Sequence, residues 1–214
     1  MNPFTDTLLV VLLLTCFLLL GTSRLAAGVR LTAAQGLMVG LLPLALEGST
    51  IPLRIALLAG LIAFLKAGVF PWMLLRTLRV SRTTRVTHPL VGYGTSMLIG
   101  VLAVGAAFWL DARLPFSSET ESKLVVPVAF SVMATGLFLM IGRRTAIDQV
   151  IGYLTLENGI YTFGLAIVSG IPVLVELGVL MDLFVAIFVM GIAIYRISRE
   201  FDHIDATQLN TLKG

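Results

Sequence analysis

The chain has 214 residues, of which 57% are hydrophobic and only 13% charged, and its mean hydropathy is +0.99. So little polar surface cannot cover a soluble domain of this size, so the composition is that of an integral membrane protein. The formal net charge of +3 is small and sits beside apolar runs, which argues against nucleic acid as a partner.

Seven apolar stretches follow one another, at about 7–23, 29–47, 52–75, 89–110, 124–142, 149–169 and 172–196. At ~1.5 Å per residue each reaches across a ~30 Å hydrocarbon core. A backbone in lipid must satisfy its own hydrogen bonds, so the runs are expected to be helices. The predicted fold is an all-α membrane protein with about seven transmembrane helices and no soluble domain. The first ten residues hold no Lys or Arg, so the first stretch is expected to be a retained span and not a cleaved signal. Cys16, inside it, is the single cysteine, and His88 and His203 both lie outside the spans. This leaves no set of ligands for an iron–sulfur cluster and no intramembrane histidine pair for haem, so no cofactor is expected in this chain.

In the second and third stretches, Gly36 with Gly40 and Ala63 with Ala67 form small-xxx-small pairs that suit close helix packing. Pro43, Pro71 and Pro127 fall inside or near the ends of spans and are candidates for kinks. The third stretch holds Lys66 near its middle and runs toward Arg76, Arg79, Arg82 and Arg85, whose three-residue spacing continues one helix face. Trp72, Trp109 and Tyr195, near span ends, read as interfacial anchors.

The loop charges select an orientation. With the N-terminus outside, eleven basic residues (Arg24, Arg30, Arg76, Arg79, Arg82, Arg85, Arg143, Arg144, Arg196, Arg199, Lys213) lie inside and three (Arg54, Arg113, Lys123) outside. The positive-inside rule therefore predicts an outside N-terminus and an inside C-terminus, which fits an odd number of spans.

Three ionisable groups are embedded in these stretches: Lys66 in the third, Glu157 in the sixth and Asp182 in the seventh. Insertion scales put a charge at the bilayer centre at ~2.5–3.5 kcal/mol, so each marks a candidate site. Burial penalises the charged form of each group and a neighbour of opposite charge restores it. Such groups suit a proton or sodium path; they equally suit buried pairs, Lys66 with Glu157 or Asp182, that only fix helix packing. Asn158 and Gly159 follow Glu157, offering a hydrogen-bonding amide and room for a close neighbour. Glu176, four residues after Pro172, is the weakest of the candidates, because it reaches the outer interface without difficulty.

The segments 151–159 (IGYLTLENG) and 172–182 (PVLVELGVLMD), with the ending 209–214 (LNTLKG), resemble the hydrogenase-4 component E family. The resemblance covers essentially the whole chain and is most specific over 149–214. It implies one transmembrane domain: a five-helix N-terminal part, 1–142, and C-terminal helices and tail, 143–214. The latter are similar to the K-type subunit of respiratory complex I and the C-type subunit of multisubunit cation/proton antiporters. The K-type pattern would place its buried glutamates near Leu154 and Ile187, whereas the acids here are Glu157 and Asp182, so the proton route is not carried over residue for residue. The implied role is a non-redox, non-catalytic membrane subunit of a group 4 [NiFe] hydrogenase or formate hydrogenlyase-type complex in a prokaryotic cytoplasmic membrane. Its partners would be antiporter-like subunits, a quinone-site-like subunit and a hydrogenase arm that holds the [NiFe] centre and iron–sulfur clusters. Lys66, Glu157, Asp182, Glu176 and Asn158 are the ion-translocation candidates. A structural adaptor in such a complex is the alternative.

Overall fold

The apolar runs close into helices and no strand forms among the described residues, which are 3–46, 53–81, 91–113, 122–143 and 145–167 of a computed structural model. The elements are α1 (Pro3–Gly21), α2 (Leu25–Leu46), α3 (Leu53–Phe64), a π-helical segment (Leu65–Val69), α4 (Phe70–Ser81), α5 (Tyr93–Asp111), α6 (Val125–Gly142) and α7 (Ala146–Ile167). The third predicted span is one continuous helix made of α3, the π segment and α4. It runs past the expected end at 75 as far as Ser81, because arginines continue a helix as readily as apolar residues do.

Among the described residues five helices, Pro3–Gly21, Leu25–Leu46, Ile55–Arg79, Tyr93–Asp111 and Val125–Gly142, are long and apolar enough to cross a membrane. The chain is an all-α membrane protein. α7 is as long as α2 at 22 residues, but Asp148, Gln149, Glu157 and Asn158 make it more polar. The seventh predicted span, 172–196, lies outside the described residues, as do Arg82, Arg85 and Tyr195.

Of the three prolines, Pro43 is accommodated inside α2, and Pro127 sits in the first turn of α6, where a missing N–H removes no helical bond. Pro71 follows the π segment and helps to cause it.

α1 and α6 run parallel and are tied at both ends. Ser122 Oγ donates to Asp6 Oδ1 at 2.6 Å at one end. At the other end Arg143 Nη2 donates to the carbonyls of Leu19 (2.7 Å) and Thr22 (3.1 Å). Among the described helices α6 and α7 form the closest pair, and glycines make this possible. A methyl group at Gly136 would sit 2.6 Å from Leu156 Cα, and one at Gly159 would sit 2.6 Å from the Met133 amide nitrogen. The small pairs in α2 and α3 also pack together, since a methyl at Gly40 would lie 2.8 Å from Ala63 Cβ.

The apolar interior divides into two clusters stacked along the bundle. One holds Leu19, Leu25, Val29, Phe70, Leu74, Leu139, Ile147 and Leu154. The other holds Leu9, Leu12, Val39, Leu42, Ile62, Val128, Val132 and Tyr161. Along α2, the π-containing helix, α6 and α7, the residues between the two clusters are Gln35, Lys66, Thr135, Glu157 and Asn158, all buried. A polar layer thus separates two apolar halves.

Candidate functional site

The π segment sets the position of Lys66. Phe70 donates its N–H to the Leu65 carbonyl, five residues back instead of four. The next residue, Pro71, has no N–H to give, and its ring crowds the carbonyl one turn earlier. A widened turn relieves that crowding. π turns are rare and concentrate at functional positions, and this one carries the only cation in the polar layer among the described residues.

Lys66 is 4% exposed, and its Nζ donates to Glu157 Oε1 at 2.7 Å and to Asn158 Oδ1 at 3.2 Å. The pairing with Glu157, one of the two open from the sequence, is formed, and Asp182 lies outside the described residues. Glu157 and Asn158 are each 2% exposed. Both ends of the ion pair lie deep: Glu157 is eleven residues into α7, about 16 Å from its start. A buried pair of this kind holds only when its geometry is good and further hydrogen bonds help offset desolvation, as the Asn158 amide does here. Yet Glu157 Oε2 is buried with no hydrogen-bond partner among the described residues.

Two threonine hydroxyls near Glu157 bond outside this network. Thr155 Oγ1 donates to the Ile151 carbonyl (2.8 Å) and Thr162 Oγ1 to the Asn158 carbonyl (2.7 Å), so both turn back onto their own helix. Gly159 provides close packing against Met133, as its place in the sequence suggests.

Gln35 is a member of the layer that sequence reasoning passed over. It is fully buried, and its Nε2 donates to Thr15 Oγ1 at 3.0 Å and to Cys16 Sγ at 3.5 Å. Its Oε1, like Glu157 Oε2, has no partner among the described residues. The signal was available: an amide in the middle of an apolar span is expensive unless it is bonded. The neighbouring Gly36 gives α2 its close approach to Lys66.

A second buried ion pair lies at the α6–α7 connection, where Arg143 Nη1 donates to Asp148 Oδ1 at 3.1 Å. Thr145 Oγ1 donates to Asp148 Oδ2 and accepts the Asp148 N–H at 3.2 Å. Arg143 was counted from the sequence as a loop charge. It is 7% exposed and bonds Leu19, Thr22 and Asp148, so it holds the bundle together in addition to any effect on orientation. The Thr145-x-x-Asp148 spacing ahead of an apolar run is a recognisable N-terminal capping pattern.

Asp182 and Glu176 lie outside the described residues. Among the described residues no group of three His, Cys, Asp or Glu side chains is placed to hold a metal ion.

The chain is 33% identical over 209 residues to the uncharacterized protein Rv0085 of Mycobacterium tuberculosis, a match that covers 94% of this chain and 92% of that protein. It is 28% identical over 120 residues to hydrogenase-4 component E of Escherichia coli K12, covering 56% of this chain and 55% of the component. The same protein of Shigella flexneri matches to the same extent. The likeness to component E thus extends over a little more than half of the chain and not over its whole length. No family profile matches the chain, and no solved structure does.

Proposed function

The chain belongs to the family of the Mycobacterium tuberculosis protein Rv0085, and on that premise we propose that it is a non-redox membrane subunit of a complex I-like, membrane-bound [NiFe] hydrogenase in a prokaryotic cytoplasmic membrane. The partial likeness to hydrogenase-4 component E supports the assignment to such a complex. The observation that carries a role in ion movement is the Lys66–Glu157–Asn158 contact in the polar layer, with one carboxylate oxygen unpartnered among the described residues.

In this reading the redox chemistry belongs to other subunits, and Lys66, Glu157 and Asn158 contribute to a proton or sodium path, joined by Asp182 and, more marginally, Glu176. A proton that reaches Glu157 Oε2 neutralises the carboxylate and loosens its hold on Lys66, so the pair converts an arriving charge into a change between α7 and the π-containing helix. The subunit spans the membrane seven times with its N-terminus outside. It sits among antiporter-like and quinone-site-like subunits, and the [NiFe] centre and iron–sulfur clusters are held by the hydrogenase arm.

A structural adaptor is the second reading. It is favoured by the same 2.7 Å contact, which also serves simply to lock the π-containing helix to α7.

Affinity isolation of the tagged full chain in mild detergent tests the assignment. Recovery of large antiporter-like membrane proteins together with a [NiFe] large subunit is expected. Antiporter-like partners without a hydrogenase subunit would place the chain in another complex, and recovery of the chain alone would overturn the reading.

A further inference from the structure

The outer face of the π-containing helix has a graded composition that the proposed function does not use. Leu57 (66% exposed) and Phe64 (65%) present an apolar surface, with Leu61 between them. Trp72, 60% exposed, lies eight positions beyond Phe64. The π segment adds one residue to its turn, so eight positions act as seven, and Trp72 returns to the face of Phe64. Arg76 and Arg79 follow at four and seven positions from Trp72, again on that face, and both are exposed. The Arg76 guanidinium carbon lies 5.4 Å from the centre of the Trp72 ring. Residues 53–81 contain no Asp or Glu, and neither guanidinium meets a carboxylate among the described residues.

The depths agree with this order. Taking the polar layer as the middle of the membrane, Arg76 and Arg79 lie ten and thirteen residues from Lys66, about 15 and 20 Å along the axis. Half of a ~30 Å hydrocarbon core is about 15 Å, so the two guanidinium groups come to headgroup level and the Trp72 ring just beneath it.

We propose that this face is a binding site for an anionic phospholipid, with the phosphate held by Arg76 and Arg79, the upper acyl chain against Trp72 and the remainder along Phe64, Leu61 and Leu57. The charge favours a lipid with a net negative headgroup over a zwitterionic one. The other exposed tryptophan supplies a contrast within the same molecule. Trp109 is stacked under Arg113 at 4.4 Å, but Asp111 lies between them in sequence and no second arginine follows among the described residues, so no preference for negative lipid is expected there.

The chain has only two tryptophans, so each can be made the single reporter. The full chain carrying Trp109→Phe is placed in zwitterionic vesicles that contain a minor fraction of brominated phosphatidylglycerol or, separately, the same fraction of brominated phosphatidylcholine. Each basic residue near a negative headgroup favours it by about fivefold. Quenching of Trp72 should therefore favour the brominated phosphatidylglycerol several-fold, and Arg76→Gln with Arg79→Gln should bring the ratio close to one while leaving quenching by brominated phosphatidylcholine unchanged. The Trp72→Phe chain, reporting on Trp109, should show a ratio near one throughout. Equal quenching of Trp72 by the two lipids, or a preference that survives the double arginine change, would overturn the proposal and assign the basic face to a neighbouring subunit.

Discussion

Gly36 of α2 faces Lys66 so closely that a methyl group there would lie 2.5 Å from Lys66 Cβ and 2.9 Å from its carbonyl carbon. The obstacle is backbone as well as side chain, and it is the backbone of the π segment. Gly36→Ala therefore has to push α2 away from the residue that holds Glu157. Overpacking of this kind costs ~1–3 kcal/mol. The thermal transition of the purified protein should fall, whereas Gly60→Ala, with nothing within 4 Å, should leave it unchanged or slightly higher. Equal behaviour of the two variants would show that the α2–Lys66 contact is not tight.

This contact illustrates what the sequence discloses and what it withholds. The helices were legible because lipid leaves an apolar run no other way to satisfy its backbone, and Pro3–Gly21 through Ala146–Ile167 follow the predicted runs within a few residues. Lys66 and Glu157 were legible as members of a site because charge in an apolar run is costly. Their contact with each other was one of two pairings open from the sequence, and it took the packing of α7 to show it. The π turn was not legible: Pro71 announces a disturbance, but a kink and a widened turn share that signal. Gln35 and Arg143 were missed for opposite reasons. A neutral amide stands out less than a charge, and an arginine beside a loop passes for a topological signal until its partners on α1 and α7 are known.

Arg143 leads to the second prediction. One guanidinium bonds Asp148 through Nη1 and the carbonyls of Leu19 and Thr22 through Nη2, a forked arrangement that a lysine ammonium cannot reproduce. Removing the arginine strands a buried carboxylate, a change worth ~3–5 kcal/mol. Arg143→Gln and Arg143→Lys should both lower the amount of folded protein recovered from membranes, and Asp148→Asn should partly relieve Arg143→Gln. Full recovery with Arg143→Lys would reduce the fork to a simple charge.

The orientation makes a third prediction. The connection holding Arg143 and the chain reversal near Arg24 lie at one end of the bundle, because Arg143 bonds the end of α1. The end that holds the Asp6–Ser122 contact is opposite. Eleven basic residues against three predict that the Arg143 end faces the cytoplasm. A reporter active only in the cytoplasm should give signal when fused after Lys213 and none after Glu121. The opposite pattern would invert the bundle, and signal at both positions would remove the odd span count.

The last prediction separates the two readings of the Lys66–Glu157 pair. Glu157→Gln keeps the shape of the side chain and its capacity to accept from Lys66, but it cannot take up a proton and removes the negative charge that Glu157 sets against the buried lysine. Lys66→Met leaves the mirror-image defect, a buried carboxylate next to Asn158. Each single change removes one partner of a buried pair, and the loss is of the order of 3–5 kcal/mol if the other group stays charged. The double change replaces both charges with neutral groups of similar size, so assembly should recover in Lys66→Met/Glu157→Gln relative to Lys66→Met, a coupling of roughly 1–3 kcal/mol in a double-mutant cycle. Recovery of assembly is expected under either reading. Ion movement distinguishes them: with an ion path through Glu157, the reassembled double variant retains hydrogenase turnover with artificial carriers but loses ion translocation across sealed vesicles. Normal translocation in that variant would leave the pair a packing lock, and the path would have to run through groups other than Lys66 and Glu157.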